Sequence, residues 1–355
     1  METYVQQFID TRRIRTAYYR AGEENPQKLL MLHGNLSSSV FFLPLIPALS
    51  QCFDVVIPDL RCFGDSEDAP VDATRGYRDW SDDIHALVEA LGWERFGLCG
   101  WSMGGDIAMQ YAIDHTQQLE ALVLIAPGSP YGFGGTRGEE GRPLYPVGLG
   151  SGGGTFNPEL LKAITLQGMG PVRQLLYSFY FTPNFHLSVE WEQQLIKGIS
   201  KTKLGSDRWP GDFNVSLQWP FVSAGKHGVL NTMSPAYGNI SHITEIKPKP
   251  PILWIRGRDD MVVSDHSMLE LGNLGSIGMV PGWPGEWFYP PQPMVTQTRH
   301  VLERYREKGG VFHELVIPGG HACHLESPAY FVPVVCSFLQ DEEPRLPQPE
   351  EEELP

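Results

Sequence analysis

The sequence predicts an α/β fold built on a mostly parallel, doubly wound sheet. Short apolar runs with the length of buried strands alternate with helix-compatible segments, which is the pattern of βαβ units. A Gly-x-Ser-x-Gly sequence at 100–104 joins one such run to a helix. The alternation stops at Pro127 and resumes near residue 251, so a segment is predicted to be inserted into the sheet domain.

The first half of the chain supplies most of the predicted sheet. Residues 4–9 and 13–20 are predicted to form two antiparallel strands at the start of the sheet. Four later runs are apolar and too short for buried helices, so they predict parallel strands at 28–32, 53–57, 96–99 and 121–126. An amphipathic helix is predicted at 77–91, because its apolar residues recur on one face.

Residues 128–248 lack the strand–helix alternation. The stretch 128–154 is dense in glycine, and candidate helices follow at 158–168, 171–180 and 188–200. We expect 128–248 to form a largely helical cap inserted after the sixth strand.

The sheet pattern resumes with strands at 251–255 and 312–317 and helices at 294–308 and 328–340. Between them, residues 275–293 form a loop rich in proline and aromatic residues. The predicted core domain is therefore 1–127 together with 249–340. The tail 341–355 consists mostly of Glu and Pro and is expected to be disordered, since it cannot bury apolar surface.

Composition narrows the class of protein. The chain has 355 residues, 41% hydrophobic content and a net charge of −15 at pH 7, which suits a globular protein and argues against a nucleic-acid partner. The N-terminus lacks the apolar region of a signal peptide, and no long apolar run follows, so we expect no membrane association. Five irregularly spaced cysteines predict reduced thiols and a cytoplasmic protein. The scattered Cys and His residues suggest no metal site, and no cofactor is expected.

Ser102 lies where a nucleophile is expected. The apolar run at 96–99 ends at Gly100-Trp101-Ser102-Met103-Gly104, and a helix-compatible run follows at 106–112. Strand, motif and helix together form the layout of a nucleophile elbow, a tight turn that holds the serine hydroxyl above the sheet. The motif alone would also fit an ordinary Gly/Ser turn. Its strand and helix neighbours favour the catalytic interpretation.

A serine hydroxyl needs a general base, because it is a poor nucleophile at neutral pH. His321 and His324, in the loop after the last strand, are the candidates. The base in turn needs a carboxylate to hold its tautomer. Asp259 and Asp260 follow the strand at 251–255, whereas the strand at 121–126 ends without an acid.

Several motifs together resemble the α/β-hydrolase fold superfamily. The matching pieces cover about 1–127 and 249–340 and appear in the family's order: His33-Gly34, Pro58-Asp59-Leu60-Arg61 to Gly64-x-Ser66, Gly100-Trp101-Ser102-Met103-Gly104-Gly105, Gly257-Arg258-Asp259-Asp260, and Gly320-His321-x-x-His324-Leu325-Glu326-x-Pro328. The resemblance implies a serine hydrolase whose chain order of Ser, Asp and His agrees with the fold.

The resemblance also implies roles for single residues. Ser102 would be the nucleophile, His321 the base and Asp260 its carboxylate partner. The backbone N–H groups of Asn35 and Met103 would bind the oxyanion. In dehalogenases of this superfamily, His-Gly-Asn accompanies an Asp nucleophile. Serine at this position argues against dehalogenation and against the usual epoxide-hydrolase mechanism.

Three further residues are candidates for substrate contact. Trp101 could form part of the acyl pocket, although ordinary packing fits equally. His324 is expected to line or buttress the site. His227 lies in a Gly-rich stretch and could touch substrate or lie on a surface loop.

These features predict hydrolysis of a carboxylic ester or lactone of a bulky apolar or aromatic small molecule, because the predicted cap and the 275–293 loop are aromatic-rich. A C–C bond hydrolase, an acyltransferase or a thioesterase with the same triad remains an alternative. A non-catalytic small-molecule binding protein on this scaffold is a further one. A homodimer formed through the cap or the 275–293 loop is also open.

Overall fold

The computed structural model describes residues 4–156, 158–165 and 169–342, and its centre is an eight-stranded sheet. The strands are β1 (Gln7–Asp10), β2 (Arg15–Ala21), β3 (Lys28–Leu32), β4 (Asp54–Pro58), β5 (Phe96–Trp101), β6 (Leu119–Ile125), β7 (Ile252–Gly257) and β8 (Phe312–Ile317). Their order across the sheet is β1-β2-β4-β3-β5-β6-β7-β8.

The sheet is mostly parallel, as predicted. Strands β3 to β8 pair in parallel, whereas β2 pairs antiparallel with both β1 and β4. The interior strands β4 and β5 are buried along their whole length, which explains why their sequences are continuous apolar runs rather than alternating ones. The carboxyl ends of β3, β5, β7 and β8 meet at one edge of this sheet, where ligands bind in open α/β folds.

Seven longer helices accompany the sheet in the described part of the chain. They are α1 (Arg78–Leu91), α2 (Met103–His115), α3 (Pro158–Thr165), α4 (Met169–Leu175), α5 (Val189–Ser200), α6 (Met294–Glu307) and α7 (Pro328–Leu339). 3-10 helical turns and shorter α-helical turns lie at Ser39–Leu45, Ile46–Leu49, Ala73–Arg75, Thr116–Gln118, Gly153–Thr155, Val229–Thr232, Ser241–Glu245, Leu271–Ser276 and Cys323–Glu326.

Helix α1 illustrates how the pattern sets the packing. Its apolar face, which includes Trp80, Ile84 and Leu87, is buried, as its periodicity predicts. The helix ends at Gly92, whose φ of +70° supplies the left-handed C-cap that glycine adopts without strain.

The segment between β6 and β7, residues 128–248, is called the inserted segment below. It contains α3 to α5, a π-helical turn at Leu176–Tyr180, and short strand pairs. The strands of these pairs are Thr136–Arg137 with Arg142–Pro143, Leu204–Gly205 with Trp209–Pro210, and Phe213–Val215 with Val222–Ala224.

Most predicted helices begin or end within a few residues of the observed ones. The helix predicted at 171–180 is α4 followed by the π-helical turn. The last residues of the helix predicted at 158–168, and the tail from 343 onward, lie outside the described residues. Within the described residues, none of the helices combines the length and the apolar character that crossing a bilayer requires.

Candidate active site

Ser102 lies at the turn between β5 and α2. Its φ of +55° and ψ of −127° are unusual for a residue with a side chain and cost on the order of 1–3 kcal/mol. Hydrogen bonds hold this conformation: Ser102 N–H donates to the Ile125 carbonyl at 2.8 Å, and the Ser102 carbonyl accepts from Gly105 N–H at 2.7 Å. The strained turn is therefore fixed from both sides.

The glycines of the motif are required by close backbone contacts. A Cβ at Gly100 would lie 2.2 Å from the Gly104 carbonyl oxygen, and one at Gly104 would lie 2.3 Å from the Leu32 carbonyl oxygen. A Cβ at Gly34 would lie 2.8 Å from the Ser102 Cβ. Helix α2 and the loop after β3 thus approach the serine as closely as the backbone allows.

His321 and Asp260 form a buried pair. His321 follows β8, Asp260 follows β7, and the His321 Nδ1 lies 2.9 Å from the Asp260 Oδ2. The other carboxylate oxygen of Asp260 accepts from the N–H groups of Val262 at 2.7 Å and Val263 at 3.0 Å. Because the carboxylate accepts a hydrogen bond from the Nδ1–H group, the imidazole Nε2 is left as the unprotonated, basic nitrogen.

Asn35 and Met103 have backbone N–H groups that donate to no other group in the described part of the chain. Asn35 follows β3, and Met103 is the first residue of α2. Both residues line the same cavity as Ser102 and His321. Free amide donors beside a nucleophile are the arrangement that stabilises an oxyanion.

That cavity has a volume of about 440 Å³ and lies between the sheet edge and the inserted segment. Its wall is mainly apolar, with phenylalanine, methionine, leucine and valine side chains. Among the described residues that line it, none is Lys or Arg, and Glu270 is the carboxylic acid. Such a cavity suits a small uncharged molecule.

Trp101, His324 and His227 are not among the described residues that line this cavity, which favours packing for Trp101, a buttressing position for His324 and a surface loop for His227. Trp101 and His324 are fully buried, and they pack behind the site with their rings 5.0 Å apart. His227 lies in a separate surface depression, where its exposed imidazole pairs with Asp212 at 3.1 Å.

Trp101 instead supports the histidine loop, because its indole N–H donates to the His321 carbonyl at 2.8 Å. His324 packs against Phe42 and Trp101, and neither of its ring nitrogens has a hydrogen-bond partner in the described chain. Burial, with the neighbouring His321 as a smaller cause, lowers the pKa of His324 to about 3. His324 is thus neutral at physiological pH.

His33 is held neutral in a similar way. Burial lowers the pKa of His33 to about 4. Its Nε2 accepts from the Leu60 N–H at 3.0 Å, so the proton lies on Nδ1, close to the Gly34 carbonyl at 2.9 Å. The imidazole therefore ties the loop after β3 to the loop after β4, beside Asn35.

Three residues that the sequence did not single out form hydrogen bonds to Asn35 or to the loop that carries His321. Tyr180 donates its hydroxyl proton to the Asn35 carbonyl at 2.8 Å. Trp209 donates its indole N–H to the Asn35 Oδ1 at 2.9 Å. Glu326 accepts from the Gly320 N–H at 2.6 Å. Glu326 belongs to the His-x-x-His-Leu-Glu motif and could have been singled out; nothing in the sequence around Tyr180 or Trp209 points to Asn35.

The model of the alpha/beta hydrolase fold family matches residues 28–288. The chain therefore belongs to the alpha/beta hydrolase family. Its solved structural relatives include the enol-lactonase of Burkholderia xenovorans, with a TM-score of 0.58, 16% identity and coverage of 94% of this chain and 100% of that one. That likeness concerns the fold.

Sequence relatives within the family have different activities. The chain is 25% identical to the 2-hydroxy-6-oxo-6-phenylhexa-2,4-dienoate hydrolase of Comamonas testosteroni, over 73% of this chain and 79% of that protein. It is 35% identical to the soluble epoxide hydrolase of a Corynebacterium species over 31% of this chain, but spans only 37% of that enzyme's length. These relatives support a hydrolase and leave the bond it cleaves open.

Proposed function

We propose that this protein hydrolyses a carboxylic ester or lactone of an uncharged, apolar small molecule through an acyl-enzyme on Ser102. One observation carries the proposal: Ser102 and His321 line the same apolar cavity, and the His321–Asp260 hydrogen bond of 2.9 Å leaves the imidazole Nε2 as the base. The Ser-Asp-His roles are part of the proposal. In it, the inserted segment acts as a cap that covers the substrate.

The reaction would proceed in two halves. Ser102 Oγ attacks the carbonyl carbon while His321 takes its proton, and the amides of Asn35 and Met103 bind the oxyanion. Collapse breaks the bond to the alcohol oxygen, which leaves with the proton from His321. A water molecule that gives its proton to His321 then attacks the acyl carbon. The bond from that carbon to Ser102 Oγ breaks, His321 returns the proton to Oγ, and the acid departs.

The charge of the cavity supports a neutral substrate. No Lys or Arg lies among the described lining residues, and the buried Glu270 contributes a carboxyl group. Burial raises the pKa of Glu270, although it accepts from the N–H groups of Gly272 at 2.9 Å and Asn273 at 2.8 Å. A substrate carboxylate would enter this cavity without a cation to pair with, which is costly in an apolar site.

Carbon–carbon bond hydrolysis is the second candidate, because a relative over most of the chain is a dienoate hydrolase. The name of that enzyme's substrate includes a carboxylate, and a cavity without Lys or Arg among its described lining residues disfavours such a substrate here. A pair of aryl esters with acyl groups of similar length, one neutral (a pentanoate) and one anionic (a hemisuccinate), tests whether the cavity rejects a carboxylate. We expect kcat/KM to favour the neutral ester by at least about a hundredfold.

The test of the proposal is turnover of neutral aryl and alkyl esters and lactones, with Ser102→Ala as the matched control. Ser102→Ala should fold normally and lose at least about a thousandfold in kcat. A thioester substrate and an added alcohol acceptor test the thioesterase and acyltransferase alternatives. A different outcome would contradict the proposal and favour a binding protein: the compounds bind wild-type protein and raise its melting temperature, but are not turned over.

A further inference from the structure

Tyr180 connects the inserted segment to the loop that carries the Asn35 amide. The residue ends the π-helical turn at Leu176–Tyr180, is buried and lines the cavity. Its hydroxyl lies 2.8 Å from the Asn35 carbonyl oxygen and 3.2 Å from that of Leu36. Burial raises the pKa of the Tyr180 phenol, so it remains a proton donor at any working pH.

The loop that Tyr180 contacts needs external support. Leu36 has a φ of +46°, in the left-handed region where a residue with a side chain is strained. The carbonyl that Tyr180 holds and the N–H proposed to bind the oxyanion both belong to Asn35, in the two peptide groups on either side of its Cα. A rotation of the Asn35–Leu36 peptide that relieved the strain at Leu36 would move the Asn35 Cα and, with it, the N–H on the other side.

The same stretch of the inserted segment also contacts the histidine loop. The Tyr180 carbonyl accepts from the Ala322 N–H at 2.8 Å. Two residues further on, Thr182 donates its hydroxyl at 2.5 Å and its N–H at 3.1 Å to one oxygen of Glu326. The other oxygen of Glu326 accepts from the Gly320 N–H at 2.6 Å. Residues 180–182 thus connect to the loops on both sides of Ser102.

We propose that Tyr180 is a positioning residue for acyl transfer: its hydroxyl holds the Asn35 carbonyl, and with it the backbone at the Asn35 Cα, so that the Asn35 N–H meets the oxyanion. This inference rests on the proposed function. It means that the inserted segment completes the catalytic site as well as covering it. Tyr180 touches no reacting atom in this role and acts through Asn35.

Tyr180→Phe tests the role with little change in packing. It removes the hydroxyl and keeps the ring, which packs edge-on to Trp101 at 5.4 Å. Deleting an oxyanion donor typically costs a hundred- to a thousandfold in kcat, so loosening one should cost about ten- to a hundredfold. KM should change by less than about threefold, since the loss falls on the transition state. Tyr177→Phe is the matched control, because that hydroxyl, in the same turn, donates to Glu192 at 2.8 Å and the residue does not line the cavity.

A pair of inhibitors distinguishes positioning from general loosening. An aryl trifluoromethyl ketone forms a bond from its carbonyl carbon to Ser102 Oγ, the serine proton passes to His321, and the carbonyl oxygen becomes an oxyanion. The matching methyl ketone binds without this addition. Tyr180→Phe should weaken the trifluoromethyl ketone by the same factor as kcat/KM and leave the methyl ketone within about twofold. Equal weakening of both, or of neither, would overturn the role.

Tyr180→Met is a second variant that keeps the test decisive if Tyr180→Phe does not fold. It also removes the hydroxyl donor to the Asn35 carbonyl and keeps a long apolar side chain, and we expect about a ten- to a hundredfold loss of trifluoromethyl ketone affinity. An unchanged affinity in that variant would overturn the role. If wild-type protein neither cleaves esters nor adds to the ketone, the proposed function itself has failed. If wild-type protein cleaves esters and adds to the ketone, and Tyr180→Phe has the same activity and ketone affinity, only the positioning role has failed.

Discussion

His324 allows a quantitative test of the buried surroundings of the site. Its imidazole is fully buried, lacks a hydrogen-bond partner in the described chain and has a pKa lowered from 6.5 to about 3. In the unfolded chain the imidazole takes up a proton as the pH falls through about 6.5, whereas in the folded protein it does so only near about pH 3. Falling pH therefore favours the unfolded state throughout that window.

The size of the effect follows from the two pKa values. At about pH 5 the unfolded imidazole is almost fully protonated and the folded one is neutral, so His324 alone lowers the free energy of unfolding by about 2 kcal/mol relative to about pH 7.5. Other titrating groups add their own changes to this one. His324→Phe removes the imidazole's part and keeps an aromatic ring among Phe42, Trp101 and Phe331.

The assay is urea unfolding of wild type and His324→Phe at both pH values. The difference in free energy of unfolding between the two proteins at the higher pH measures the effect of the substitution on packing alone. The change in that difference between the two pH values measures protonation, because the other groups cancel. We expect the variant to lose about 2 kcal/mol less than wild type on acidification. Equal losses in the two proteins would mean that the folded protein protonates His324, and would refute the argument from burial.

Three further substitutions test the geometry around the serine. Gly34→Ala places a Cβ 2.8 Å from the Ser102 Cβ. The folded variant should lose at least about tenfold in kcat/KM and about 1–3 kcal/mol in free energy of unfolding, and full activity would contradict this contact. Asp260→Asn removes the carboxylate that holds His321 and should lower kcat by about ten-thousandfold, as the same change does in a serine protease; ester turnover within tenfold of wild type would show that Asp260 is not the partner. Trp101→Phe removes the indole donor to the His321 carbonyl and should lower the free energy of unfolding by about 2 kcal/mol, while unchanged urea unfolding would mean that the bond adds nothing.

Local patterns in the sequence were enough to predict the sheet and the elbow. Each buried strand is a short apolar run, and the motif at 100–104 sits between one of them and a helix. The His321–Asp260 contact spans 61 residues, and no local pattern links the two. The resemblance to a family singled out that pair among the candidate histidines and acids.

Local sequence patterns could not predict which side chains fill the interior of the site and which of them contact one another. An aromatic residue beside a nucleophile can line the cavity or fill the core behind it, and Trp101 and His324 do the latter. The Tyr180 hydroxyl contacts Asn35 across 145 residues. That contact depends on how the inserted segment folds over the sheet edge, which has no signature in local spacing. Contacts of this kind become visible only once the whole chain is folded.

The most direct test of the central claim is intact-protein mass spectrometry after treatment with a fluorophosphonate. The phosphorus should bond to Ser102 Oγ with loss of fluoride, because an activated serine attacks it as it would a carbonyl. We predict one adduct on wild type, located at Ser102 by peptide mapping, and none on the folded Ser102→Ala variant. An adduct on both proteins, or none on folded wild type, would contradict the assignment of Ser102 as the nucleophile.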